Sequence, residues 1–447
     1  MNKPKRSPAF LSKSTFIRGL QCEKSYYLHK KRPFLRDKLP PEQLAKFIRG
    51  TNVGVYAREL FPGGINASPG SGLQMTASIK RTGELLKEAC PVIYEASFQY
   101  DGVRAALDIL VAEDDGWRAV EVKSSRSLSD TYIWDAALQY HILNGAGLKI
   151  NRFELVYINP AYVMHGALDV HALFVFKDVT EEVKDRQADV IALIEKLRLV
   201  DAYTSSPDIP IGPHCHDPYP CDFIGHCWKK TNRQHENTAF GDELTNEALV
   251  SRTVSSVTKP ASVYAALVFS PAIPLFEGTR PYNSLVFLSA LYSLDDKNPE
   301  PVFYWPLQWP EGVGSGKKFT DRLGSREHLV HFGDEKSLPT IGFSLQSNWQ
   351  PGYTDLSQLF KKDAVVSPGG VALKSPEAIL MQMDVTPEPF PGRIKSDPEA
   401  ATLYEKIYRQ PTHEGMEYLI RELTLYLTTR LRNLGRLWEI VQDKNPV

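Results

Sequence analysis

Asp108, Glu121 and Lys123 are the residues whose types and spacing can do chemistry together. Asp108 lies between Leu107 and Ile109, an acid inside an apolar run. Glu121 and Lys123 stand two apart at the end of the next apolar run. Side chains two apart on a strand share a face. Two carboxylates and an amine on one sheet face suit a divalent cation and a nearby anion. Oxygen ligands favour Mg²⁺ or Mn²⁺. Such a cation activates water and neutralises charge on a phosphodiester. Lys123 can orient that water or stabilise the pentacovalent transition state.

The elements that must position these residues are legible. Apolar segments at 92–99, 103–111 and 117–122 are separated by Asp101-Gly102 and Asp114-Asp115-Gly116, the turn signals of hairpins. A helix is predicted from about 130 to 144, ended by Gly145, with Gln139 and Tyr140 placed to pack beside the site. Upstream, Ser12 or Ser14 caps a helix carrying Phe16, Ile17 and Leu20. A second helix starts at Pro40-Pro41 and stops at Phe61-Pro62-Gly63-Gly64, with Gly50 and Gly54 baring one face. A further helix, 73–88, leads into the first strand. Downstream come strands at 153–158 and 172–176, then a long amphipathic helix, 181–200, with Val183, Val190, Ile194 and Leu197.

Cys215, Cys221 and Cys227 follow, with five residues intervening each time, in a loop kept irregular by Pro and Gly. Three close thiolates need a fourth ligand for a [4Fe–4S] cluster or a Zn²⁺ site, and Cys22 is the candidate. His214, His216 and His226 keep zinc open as the rival. Cys90 stands apart and reads as a buried thiol.

The stretch 94–140 resembles the PD-(D/E)XK nuclease superfamily in its RecB-like branch, which includes CRISPR-associated and AddB-type nucleases with iron–sulfur clusters. Asp108 matches the metal-binding Asp, and Glu121-Val122-Lys123 matches the (D/E)-x-K, with the Val122 carbonyl as a further ligand. Gln139-Tyr140 resembles the helical Gln/Tyr motif, without its usual spacing. Where the family carries G-x-x-x-H, this chain reads Gly54-Val55-Tyr56-Ala57-Arg58, so an arginine replaces a histidine ligand. Glu95 is the candidate to compensate. The resemblance implies a mixed sheet flanked by helices, clasped by a cluster on one early and three late cysteines. It also implies a metal-dependent nuclease, with DNA expected as its nucleic acid ahead of RNA.

Composition bounds the rest. At 447 residues with 42% hydrophobic content, the chain should form two domains or three, and the resemblance implies the α/β class. We expect a nuclease-like domain over 1–230, a polar linker over 231–260 and a second domain over 261–447. The net charge of −1 announces no nucleic acid, but residues 1–50 carry thirteen Lys/Arg against three Asp/Glu, interleaved with Tyr26, Tyr27 and Phe34. Five cysteines do not make a secreted disulfide scaffold, no run of about 18 apolar residues crosses a membrane, and no signal-peptide core is evident. A cytoplasmic protein is expected. The second half, around the AIPLFEGTRPY stretch, resembles the DnaQ-like (RNase H-like) exonuclease fold. Its first strand, Tyr264-Ala265-Ala266-Leu267-Val268, lacks the family's acids, and the last helix reads Leu427-Thr428-Thr429-Arg430-Leu431 where another Asp would stand. The resemblance therefore implies a catalytically dead domain, left to bind DNA, a protein partner or a second copy.

Overall fold

The structure is a computed structural model. It describes residues 11–37, 53–68 and 74–228. In the second half it describes 262–269, 272–274, 278–282, 285–293, 302–304, 328–331, 352–355, 375–383, 385–409 and 412–443. The expected start of the helix at Pro40-Pro41 and the linker at 231–260 lie outside the described residues. The chain divides into two compact units, 1–40 with 46–230 and 272–281, and 41–45 with 231–271 and 282–447. Residues 272–281 thus group with the first unit, where Met164 N donates to Thr279 O (3.0 Å) and Gly278 N to Met164 O (2.8 Å).

The first unit is built on a seven-stranded mixed sheet flanked by helices. Its path runs β2 (Ile65–Asn66), β3 (Val92–Tyr100), β4 (Val103–Glu113), β5 (Gly116–Lys123), β6 (Ile150–Ile158) and β7 (Phe174–Asp178). β3, β4 and β5 form the expected antiparallel meander, and β5 then pairs in parallel with β6. The crossover between those parallel strands is a helix, as parallel pairing requires. It spans Asp130–Gly145 and buries Ala136, Ala137, Leu138 and Ile142 against the sheet core of Ile93, Leu107 and Phe153.

The seventh strand, β1 (Leu11–Ser12), pairs in parallel with β4 at Val103 and Arg104. β3 covers the other edge of β4 along nearly its whole length, from Val103 to Val111. β1 must therefore lie on the edge that β5 takes elsewhere, because the β4–β5 ladder ends at Ile109–Val120. One edge of β4 is thus shared by two strands, and the sheet forks between them.

From β1 the chain turns directly into α1 (Lys13–Gln21). Ser12 caps it reciprocally: Thr15 N donates to Ser12 Oγ (3.3 Å) and Ser12 N to Thr15 Oγ1 (2.8 Å). Cys22 ends α1 in extended conformation, and α2 (Glu23–Lys31) starts at once. α3 (Met75–Lys87) precedes β3, and Asp130–Gly145 is α4. A short α5 (Val170–Leu173), capped by Asp169, occupies the start of the strand expected at 172–176, so β7 begins at Phe174. The expected long helix is two, α6 (Thr180–Asp185) and α7 (Gln187–Ala202), broken at Arg186. The Gln187 side chain donates to Val183 O (2.6 Å) and Ala137 O (3.1 Å), tying the break to α4.

The second unit carries a five-stranded sheet in the order β10-β9-β8-β11-β12. These are Val302–Tyr304, Leu285–Ser293, Ser262–Phe269, His328–His331 and Gly352–Asp355. β8, β9 and β10 are antiparallel neighbours, whereas β11 pairs in parallel with both β8 and β12. α8 (Pro376–Gln382), α9 (Asp397–Arg409) and α10 (His413–Asp443) follow. α10 buries the leucine stripe Leu419, Leu423, Leu427, Leu431, Leu434 and Leu437.

α1 is seated closely on α7. A Cβ on Gly19 would stand 2.4 Å from the Leu197 side chain, which is fully buried. Gly19→Ala should therefore destabilise the first unit by about 1–3 kcal/mol through overpacking. Urea unfolding should show a lowered midpoint with an unchanged slope. An unchanged midpoint would mean that α1 can slide on α7 without cost.

Candidate active site

The fork between β4 and β5 is where the sequence-predicted residues meet. Past Ile109–Val120, Asp108 Oδ2 accepts from Val122 N at 2.6 Å, so a side chain takes the N–H nearest to where the ladder stops. β5 stays in register with β6 there, Glu121 beside Leu155 and Lys123 beside Tyr157. Glu95 lies across from Asp108, between the paired Tyr94–Ile109 and Ala96–Leu107. Its φ of +55° places a non-glycine residue in the left-handed region, a local strain that re-aims its side chain. Glu95 Oε1 accepts from Arg58 Nη2 at 2.8 Å, and Arg58 also lies over the Tyr94 ring at 5.3 Å. The arginine at the G-x-x-x-H position therefore reaches the acid site by pairing with Glu95.

Two residues missed from sequence complete the cluster. Lys123 Nζ donates to Glu121 Oε1 (2.8 Å) and to Asp135 Oδ2 of α4 (2.5 Å). Lys13 Nζ, at the first position of α1, donates to the same Glu121 Oε1 (2.7 Å) and lies 3.7 Å from the same Asp135 Oδ2. The second oxygens, Glu121 Oε2 and Asp135 Oδ1, are buried with no hydrogen-bond partner, as are both polar atoms of the Gln139 amide. Asp135 and Gln139 are one helical turn apart and share a face of α4. Tyr140, one residue on, belongs to the hydrophobic core. Asp135 had a signal in the sequence, an acid in the apolar run Ile133-Trp134-Asp135-Ala136-Ala137 one turn before Gln139. Lys13 had only its place in a basic N-terminal region.

The electrostatics follow from burial and these partners. Burial, then the Glu121 and Glu95 charges, push the Asp108 carboxyl up to about 8. Burial works to raise Glu121 too, but the Lys123 and Lys13 ammoniums overcome it and hold it well below the usual carboxylate range. Burial works against both ammoniums, and Asp135 and Glu121 more than offset it, so both lysines are held above their ordinary value.

A buried carboxylate oxygen without a donor is costly unless a cation meets it. Glu121 Oε2 and Asp135 Oδ1, beside Asp108, Glu95 and the Val122 main chain, make an oxygen-rich set suited to a hard divalent cation. As the side chains stand, no group of three or more His, Cys, Asp or Glu among the described residues is arranged as a metal site. The two ammoniums occupy the facing oxygens instead.

The four cysteines singled out by spacing line one cavity, Cys22, Cys215, Cys221 and Cys227, together with His214 and Ser25. The Ser25 hydroxyl lies 3.4 Å from Cys221 Sγ. Burial pushes the Cys22, Cys221 and Cys227 thiols up, so ionising them calls for a compensating cation. Four converging thiols suit a soft tetrahedral metal or an iron–sulfur cluster. His216 is exposed, and His214 is the one histidine among the lining residues. Cys90 is buried elsewhere, its thiol directed at Val92 O (3.2 Å).

The cysteine loop also reaches the acid site. Tyr219, between Cys215 and Cys221, is hydrogen-bonded to Tyr132 and close to Lys123 and Asp135; burial, then Tyr132 and Asp135, push its hydroxyl up to about 12 against the opposing Lys123 charge. Lys123 Nζ lies over the Tyr132 ring at 5.1 Å.

In the second unit, Arg430 is buried, and its guanidinium donates to Asp397 Oδ1 (2.6 Å) and Tyr426 Oη (2.7 Å). No helix among the described residues is long and apolar enough to cross a membrane. No protein-family model and no curated protein matches the chain.

The Asp108 carboxyl gives a pH test of this geometry. Its folded value of about 8 exceeds the ordinary 3.8, so folding takes up a proton between those values. The stability it contributes is present at acid pH and is lost as pH rises from about 4 to about 8. Glu121, held low, acts only below that window. In chelator-treated protein, Asp108→Asn should flatten the fall in Tm over that range. Parallel curves for parent and variant would place Asp108 in solvent rather than in the cluster.

Proposed function

We propose that the first unit is a metal-dependent nuclease that hydrolyses phosphodiester bonds in DNA, with a structural iron–sulfur cluster on its four cysteines. The observation that carries the reading is the convergence of Asp108, Glu121, Lys123 and Asp135 at the fork, with two carboxylate oxygens buried and unpartnered. Asp108 and Glu121 would hold Mg²⁺ or Mn²⁺, with Asp135, Glu95 and the Val122 carbonyl as further candidates. When bound, the cation supplies a Lewis acid for the phosphodiester and a more acidic water. Lys123 keeps its proton against Glu121 and Asp135, so it serves as a fixed positive charge toward the transition state and not as a base. Asp135 positions that ammonium. Gln139 offers a neutral amide beside them, and Tyr140 fixes the helix from the core side.

Zinc is the rival occupant of the cysteine cavity, favoured only by His214 in its lining. Nucleic-acid binding without cleavage is the rival function, and the Arg58–Glu95 ion pair favours it, since it engages one candidate ligand. The five-stranded sheet of the second unit, three antiparallel strands followed by two parallel ones, supports its DnaQ-like reading. The Arg430–Asp397 pair supports a non-catalytic role there, in binding DNA, a protein partner or a second copy.

Cleavage of labelled single- and double-stranded DNA by anaerobically purified protein, with Mg²⁺ and with Mn²⁺, tests the reading. Asp108→Ala, Glu121→Ala and Lys123→Ala should each lower turnover by at least about 10²-fold, the scale of a lost electrostatic stabiliser. Metal-dependent cutting that survives in full-length Asp108→Ala would move the chemistry to another site. Metal analysis tests the cysteines. Cys22→Ser and Cys227→Ser should lose iron and thermal stability alike, Cys90→Ser should lose neither, and stoichiometric zinc without iron would decide for zinc.

A further inference from the structure

The nuclease reading uses one ammonium of the site, yet the fork holds two. Lys13 and Lys123 donate to the same Glu121 oxygen and approach the same Asp135 oxygen, while the opposite oxygen of each carboxylate has no donor. Compensation of the acids alone would spread two cations over four oxygens. Two ammoniums crowded at one oxygen repel each other, and a cation that took over Glu121 would leave them in need of another anion. Their access differs: the Lys13 side chain is 31% exposed and that of Lys123 12%, so Lys13 is the one a ligand from solvent can meet.

Local preference makes the position harder to explain as structure. Lys13 stands at the first residue of a nine-residue helix, where the helix dipole disfavours a cation and no acid occupies the first turn. The helix is nevertheless fixed, by the Ser12–Thr15 capping box at one end and by Arg18, whose Nη2 donates to Asp222 Oδ2 (3.0 Å), toward the other. A flexible surface lysine is thereby delivered to one point.

The charge count decides between structure and binding. Among the described residues the site holds four carboxyl groups, Asp108, Glu121, Asp135 and Glu95, against three cations, Lys13, Lys123 and Arg58. With a divalent cation bound and all four acids ionised, the formal sum would be one positive charge, the complement of one phosphodiester. Without Lys13 that sum would be zero, and nothing net would hold the anion.

We propose that Lys13 is a phosphate-binding residue of the site, which contacts the backbone of a nucleic-acid substrate as a divalent cation takes over Glu121. The proposal rests on the nuclease reading of the same residues.

The test is fluorescence-anisotropy binding of a labelled oligodeoxynucleotide to the full chain across a salt series. Ca²⁺ replaces Mg²⁺ to hold off cleavage. Loss of one phosphate contact should reduce the slope of log affinity against log salt by about 0.7–0.9, single strands at the low end. Lys13→Met should show that reduction, Lys13→Gln should match it, and Lys13→Arg should restore the parent slope. Because Lys13 also pairs with Glu121, the variants can lose stability, but a misfolded fraction lowers the amount bound without changing the slope. Equal slopes for parent, Lys13→Met and Lys13→Gln would overturn the proposal, as would absence of binding by the parent. Failure of the parent to cut DNA with Mg²⁺ or Mn²⁺, with the slope change intact, would instead sink the nuclease reading and leave Lys13 as a phosphate contact in a binding protein.

Discussion

The structure of the first unit depends on the place where β4 loses one neighbour and gains another. A sheet edge must satisfy its main-chain groups, and an edge shared by two strands leaves a gap between them. Here the gap falls at Asp108, whose carboxylate accepts the Val122 N–H. That hydrogen bond holds the strands apart at a defined width. Beside it, Glu121 and Lys123 of β5 meet Lys13 of α1 and Asp135 of α4. Glu95, with its left-handed backbone, stands across from Asp108 on β3. A continuous ladder would have left Asp108 and Glu121 as ordinary neighbours on a sheet face.

The two units handle buried charge in opposite ways. Removing one member of a buried ion pair costs about 3–5 kcal/mol, so each charge must be matched closely. Among the described residues of the second unit the matches are closed. Arg430 and Tyr426 donate to Asp397, Arg393 N donates to Glu422 Oε2 (2.5 Å), and the Asn433 side chain bridges Glu377 and the Glu388 main chain. At the fork of the first unit the matches are lopsided, with one oxygen of Glu121 and one of Asp135 left bare. Closed networks rigidify, whereas open ones are positioned for a further ligand.

How much of this was legible depended on how local the signal was. The three-strand meander was readable because Asp101-Gly102 and Asp114-Asp115-Gly116 mark tight turns between apolar runs, and strand ends moved by two residues at most. α4 was readable from its length and its terminal glycine. The break at Arg186 was not, because it depends on a Gln187 side chain that bonds to another helix. β7 slipped because Asp169 caps a single helical turn that competes with strand pairing. Cys215, Cys221 and Cys227 were legible from their spacing, and Cys22 only from the need for a fourth ligand. The partnership of Lys13 with Glu121 was not, because 108 residues separate them and no periodicity links them. Glu95 was found by nearness in sequence, but its left-handed backbone has no signature in a glutamate.

α1 is anchored at both ends to segments made much later in synthesis. Lys13 finds Glu121 108 positions downstream, and Arg18 finds Asp222 204 positions downstream. A chain emerging from the ribosome therefore exposes α1 long before either partner exists. The meander of β3, β4 and β5 can form from contiguous chain, but the gap in it stays open on the α1 side until α1 docks. Docking in turn gains its second anchor only when the loop bearing Cys215, Cys221 and Cys227 has appeared. α1 is thus made before either of its partners and takes its full set of contacts only after both have appeared. A nascent or truncated chain that stops short of residue 222 would carry Asp108, Glu121 and Lys123 without the full set of contacts that seat α1 beside them.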